Sequence, residues 1–149
     1  MEFTITELLS EEASESWISE HFHPKGLKCP KCGMDVTKSY EFRRTKRSNL
    51  KVYRCRGCGQ IYNLYSGTIF QQRHLKPSQV VLLVRGVVKG ESSKVLAAEL
   101  GLNYQTVLSL RHALQANAAS WQPTSPLPDQ VHESDELFQN AGEKRRGTL

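Results

Sequence analysis

All four cysteines fall in two copies of one short pattern, "KCPKCG" (Cys29, Cys32) and "RCRGCG" (Cys55, Cys58), with twenty-two residues between them. A C-x-x-C turn aims two thiolates at one point, and two such turns complete the tetrahedron that Zn2+ takes at a closed structural site. Gly33 and Gly59 directly follow the second cysteine of each pair and permit the positive φ that so tight a turn often needs. A disulfide pair is disfavoured in a reducing compartment, and a thioredoxin-like motif normally occurs once, beside a βαβ pattern absent here. Four Cys ligands leave no open coordination position, so this zinc is expected to do no chemistry itself. A second chemical signal lies near the C-terminus. The adjacent carboxylates Asp135 and Glu136 follow the Pro-rich "QPTSPLPD". Paired acids after a linker have the look of a divalent-metal site opening, or of a solvated acidic tail.

The elements that must hold the cysteines read as strands. "SYEFRR" alternates Tyr40 and Phe42 with polar neighbours, and "LKVYRC" and "QIYNLYSG" are rich in β-branched and aromatic residues. The spacing predicts an antiparallel zinc ribbon over residues 24–70. The turn "RRTKRSNLK" brings Arg43, Arg44, Lys46, Arg47 and Lys51 close together on a hairpin tip, where they can reach phosphates. Tyr40, Phe42, Tyr53, Tyr62 and Tyr65 have two readings: stacking on bases, or covering one face of a sheet with little other core. His21, His23, His74 and His132 are expected to be surface or packing residues, since the four-Cys site needs no histidine.

After the ribbon the apolar period changes to that of helices. Pro77 suits a helix start, and Val80, Val81, Leu83, Val84, Val87 and Val88 make a broad apolar face that Gly90 ends. Ser92 or Ser93 can cap "SKVLAAEL", Gly101 can stop it, and Asn103 can cap a third helix with Val107, Leu110 and Leu114 inward. Ala98 is small where the last two helices are expected to cross. A short helix, a Gly turn and a longer helix over residues 71–121 fit a helix-turn-helix, a pattern shared by plain three-helix bundles. If the third helix enters a major groove, its base-facing candidates are Tyr104, Gln105, Thr106 and Ser109, with Arg111 further along. Residues 1–23 are expected to form an N-terminal helix, with Leu8, Leu9, Trp17 and Ile18 as its contacts and its acids against the ribbon's bases. Residues 122–149 read as a linker and a tail expected to be disordered. The fold class is thus small α+β: a four-Cys ribbon, then an all-α helix-turn-helix.

Charge supports a polyanionic partner. The 149 residues carry a net +5, but residues 24–90 hold fifteen Lys/Arg against two acids, Asp35 and Glu41. A solvated surface would normally mix both signs, so double-stranded DNA is the expected partner. No apolar run approaches the ~20 residues that span a bilayer. The acidic N-terminus lacks the basic opening of a secretory signal, and a cytoplasmic protein is expected.

Taken in order, "HPKGLKCPKCG", "YRCRGCGQIYNLYSGTIF", "HLKPSQVVLLVRGVVKG", "AAELGLNYQTVLSLRHAL" and "HESDELFQNAGEKRRG" resemble the N-terminal part of bacterial insertion-sequence DDE transposases. The resemblance runs from about Glu7 onward. Its most specific motifs are the paired knuckles, Ser66–Phe70 and Ser134–Lys144. It implies a module that binds transposon-end DNA ahead of a ribonuclease-H-like domain. It also implies partners in the form of a second copy of the chain or an intact transposase. Asp135 matches the first catalytic acid of such enzymes, whose intact form uses Mg2+. After Glu136 the only acid is Glu143, so the second and third catalytic acids have no counterpart in these residues. A truncated chain, inactive alone, is the expectation. A free-standing zinc-ribbon helix-turn-helix regulator of transcription is the alternative, but such a protein has no reason to carry "SDELFQNAGEKRRG".

Overall fold

A computed structural model describes residues 10–120. Helix α1 (Glu11–Phe22) comes first, followed by the ribbon strands β1 (Ser39–Arg44), β2 (Lys51–Cys55) and β3 (Ile61–Asn63). Helices α2 (Pro77–Val88), α3 (Ser93–Leu100) and α4 (Tyr104–Ser120) complete the fold. The strands form one antiparallel sheet in the order β1-β2-β3. Sequence-predicted strands and helices are therefore present, but "QIYNLYSG" is strand only as far as Asn63. Beyond it the chain turns, held by Tyr65 N–H donating to Asn63 Oδ1 at 2.9 Å and Asn63 N–H donating to Ser66 Oγ at 3.0 Å.

The helix ends follow from local chemistry. Ser10 accepts from Ala13 N–H at 3.1 Å, Ser92 from Val95 N–H at 3.3 Å, and Asn103 from Gln105 N–H at 2.8 Å. Gly101 takes φ 63°, and Leu102 N–H donates to Ala97 O at 2.9 Å, closing α3 with the C-terminal motif that glycine favours. One cap was invisible in the sequence. Glu11 of α1 receives Ser78 N–H at 3.1 Å and Ser78 Oγ at 2.6 Å, placing a carboxylate on the first turn of α2.

One core joins helices and ribbon. Ile18 of α1, Val80, Val81, Leu83 and Val84 of α2, Leu96 of α3, and Val107 and Leu110 of α4 are buried together with Leu50, Leu64, Tyr65 and Phe70 from the ribbon's far end. The 70/71 boundary drawn from sequence is thus crossed by packing. Tyr65 is not a sheet-covering ring: it is 1% exposed in the helical core and donates its hydroxyl to Leu75 O at 2.8 Å. A second, small cluster of Leu27, Cys29, Cys55 and Tyr62 surrounds the knuckles.

Two details of the helical packing depart from expectation. Ala97, not Ala98, faces inward, and Val88 is exposed. The close approach is made by Gly86, where an added Cβ would lie 2.2 Å from Leu96 Cδ2. Apolar periodicity does not reveal a glycine whose role is to admit a neighbour.

Candidate zinc centre and nucleic-acid interface

The two knuckles are built alike. Cys29 N–H donates to Met34 O at 2.8 Å, and Gly33 N–H donates to Cys29 O at 2.8 Å. The corresponding bonds of the second knuckle, Cys55 N–H to Gln60 O and Gly59 N–H to Cys55 O, are both 2.9 Å. Gly33 and Gly59 share a φ of 72°, the left-handed conformation that the sequence anticipates at each turn. Repeating one turn on facing hairpins brings the four Sγ atoms of Cys29, Cys32, Cys55 and Cys58 within 4.8 Å of one another. Cys29 to Cys58 and Cys32 to Cys55 are both 3.5 Å apart. A tetrahedral zinc with Zn–S bonds of about 2.3 Å places its sulfurs about 3.8 Å apart, so the cluster fits that ion.

The thiols themselves show why a cation belongs there. The backbone N–H groups of Cys58 and Gly57 pull Cys55 down to about 6, against its burial. At Cys32 the Met34 N–H also pulls downward, but the crowding sulfurs of Cys55, Cys58 and Cys29, together with burial, prevail and push the thiol up to about 12. Four sulfurs this close cannot all ionise unaided, and a bound dication removes the conflict.

The pleat of the ribbon divides its basic residues between two faces. Tyr40 pairs with Arg54, which pairs with Ile61, whereas Glu41 pairs with Tyr53, which pairs with Tyr62. Directly paired residues share a face. A bulge between Glu41 and Arg43 adds one residue to β1, so Phe42 and Arg43 both join the Tyr40 face and Arg44 returns to the Glu41 face. On that inner face Glu41 holds Arg44 at 3.3 Å and Lys51 at 3.8 Å. Glu15 of α1 lies in the same field: burial raises its carboxyl, and Arg44 and Lys51 oppose the rise. Glu11, Glu12 and Glu15 line one pocket with Arg44 and Lys51, while the Glu11 carboxylate is hydrogen-bonded to Ser78 of α2.

Arg43, Lys46 and Arg47 remain exposed on the other side and line a shallow pocket with His74. The hairpin tip carrying Lys46 and Arg47 is not a free arm. Leu50, 1% exposed, anchors it in the helical core, and Thr45 N–H donates to Leu50 O at 3.0 Å. Tyr40 and Phe42 also differ from the covering role. They are exposed, with the Arg56 guanidinium 5.8 Å from the Tyr40 ring and that of Arg54 6.0 Å from the Phe42 ring.

In the helical part, Tyr104, Gln105 and Ser109 are exposed on the first turns of α4, and Thr106 is half-buried. Arg111 faces elsewhere. Its Nε donates to Ser93 Oγ at 2.8 Å, and a terminal nitrogen donates to Glu91 O, so the guanidinium ties α4 to the turn between α2 and α3. Of the histidines, His23 is a packing residue whose Nε2 donates to Leu64 O at 2.8 Å. Asp135 and Glu136 lie outside the described residues. Among the described residues, no helix is long and apolar enough to cross a membrane.

Comparison with known families agrees with this geometry. Residues 9–60 match the family model described as the transposase zinc-ribbon domain, of the IS1595 type. The matched stretch contains α1, both knuckles, β1 and β2, and ends just before β3. Residues 9–60 are thus similar to a transposase zinc-ribbon domain, and they contain the four-Cys cluster. No curated protein and no solved structure matches the chain.

Proposed function

We propose that this chain is the DNA-binding N-terminal region of an insertion-sequence transposase and that it binds transposon-end duplex. The observation that carries the reading is the transposase zinc-ribbon match over residues 9–60, on a ribbon whose core is continuous with that of α2, α3 and α4. In this reading α3 and α4 are a helix-turn-helix, and α4 enters the major groove. Gln105, with Tyr104, Thr106 and Ser109 around it, meets base edges. Arg43, Lys46 and Arg47 take phosphates, adding affinity without sequence preference. Arg44 and Lys51 contribute less, because Glu41 already shares their charge. Arg111 positions α4 rather than reading a base. The structural zinc keeps the ribbon folded, and catalysis belongs to Asp135 and Mg2+ in an intact enzyme. The transposase match favours this reading over a free-standing transcription regulator.

The test is fluorescence anisotropy with duplexes carrying candidate element ends, across a salt series. Replacing Arg43, Lys46 and Arg47 together should weaken binding to every duplex and flatten the salt slope by about one unit per lost phosphate contact. Gln105→Ala should instead reduce the difference between end and scrambled sequences. A chain that binds no duplex at low salt, or whose triple variant binds like the parent throughout, overturns the reading.

A further inference from the structure

The outer face of the ribbon has a chemistry that duplex binding leaves unused. Tyr40, Phe42 and Ile61 are 40%, 45% and 43% exposed, an unusual set of bare apolar groups on so small a sheet. They do not form an oily patch. Arg54 stands between Tyr40 and Ile61 in the row that crosses all three strands, and Arg54 and Arg56 lie over the Phe42 and Tyr40 rings. The row continues into a groove where Ile61 meets Arg43, Val52, Asn63, Arg73 and His74. That groove is lined by no acid, and Glu41, the one carboxylate on the three strands, is turned to the opposite face.

We propose that this face binds single-stranded nucleic acid, stacking unpaired bases on Tyr40 and Phe42 while Arg54, Arg56 and Arg73 hold the phosphates. Flat rings interleaved with cations match a strand whose base faces and phosphates are both available. A duplex hides its base faces within the stack and offers this sheet only phosphates and groove edges. The two guanidiniums already sit over the rings at cation–π range, so a base can displace them onto adjacent phosphates without uncovering a buried group. The inference goes beyond duplex recognition by α4 and uses none of the α4 residues. It gives the protein a means of holding an unpaired strand beside a bound duplex.

The experiment uses the zinc-loaded 149-residue chain and a labelled twelve-residue oligothymidylate, with anisotropy read beside a duplex of equal length and an oligoaspartate competitor. Tyr40→Leu with Phe42→Leu should weaken oligothymidylate binding at least tenfold and duplex binding less than twofold, with zinc content and thermal midpoint unchanged. Tyr40→Trp should retain binding, and its added fluorescence should be quenched by the oligonucleotide; this variant keeps the test open if the leucine pair fails to fold. The Gln105→Ala variant should bind oligothymidylate like the parent, so loss of the duplex reading and loss of this one are separable. Equal loss for both nucleic acids, parental affinity in the leucine pair, unquenched Tyr40→Trp, or oligoaspartate competing as well as oligothymidylate would each overturn the proposal.

Discussion

Two side chains show how a residue's type leaves its use open. Tyr65 carries a phenol into the helical core, where its hydroxyl donates to Leu75 O. Tyr65→Phe should cost about 1 kcal/mol at neutral pH, measured by urea unfolding, because the carbonyl of Leu75 loses its partner. Burial raises the Tyr65 hydroxyl well above its ordinary value, with Glu11 and Glu15 adding to the rise. A group raised on folding contributes stability below its unfolded value of about 10 and loses it as pH rises further. The parent's advantage over Tyr65→Phe should therefore shrink above pH 10. An advantage that stays constant to pH 11 would place the phenol in water. Arg111 is the second case. A base-reading arginine and an arginine that ties helices together look alike in the sequence. Because its guanidinium spans Ser93 and Glu91, Arg111→Lys should lower the thermal midpoint and weaken every duplex alike. A change in sequence preference at parental stability would return it to the groove.

At the scale of elements, the crossing of α2 and α3 depends on a missing side chain. Gly86 and Leu96 approach so closely that Gly86→Ala should destabilise the fold by about 1–3 kcal/mol, although alanine is the better helix former. Leu96 is 2% exposed and has little room to retreat. Adding Leu96→Val should recover part of the loss, and a double-mutant cycle measures that coupling. Additive losses would show that the two residues do not meet. The β1 bulge acts on the same scale: one extra residue decides which arginine faces α1 and which faces outward.

For the molecule as a whole, the shared core predicts that metal and helices are linked. Leu50, Leu64, Tyr65 and Phe70 are delivered to the helical core by the ribbon that the four cysteines close. Removing zinc with a strong chelator should therefore unfold the ribbon and also lower the thermal midpoint of the helical signal. A helical transition indifferent to chelation would show two independent domains. A second expectation concerns chemistry. A polypeptide of these 149 residues, given Mg2+ and element-end DNA, should bind without cleaving or joining strands. Two-metal catalysis needs several carboxylates fixed at one point, and Glu143 is the only acid after Asp135 and Glu136. Strand cleavage by the purified chain, lost in Asp135→Ala, would refute this.

The knuckle turns, helix caps and strand segments were legible in the sequence because each is a contract among residues a few positions apart. Cys29 and Gly33, Ser92 and Val95, Asn103 and Gln105 meet through local geometry within five residues of chain. The four-Cys cluster was legible for the same reason, as one local turn written twice. What only the tertiary structure decided lies between distant residues: Glu11 on Ser78, Gly86 against Leu96, Arg111 on the Glu91–Ser93 turn, and Tyr65 beneath Leu75. The division of Arg43 from Arg44 belongs with these, since a bulge is defined by its partner strand. Spacing carries the period of an element, but not which neighbour its faces will find. That choice is made when the elements compete for one core and every buried polar group must meet a partner.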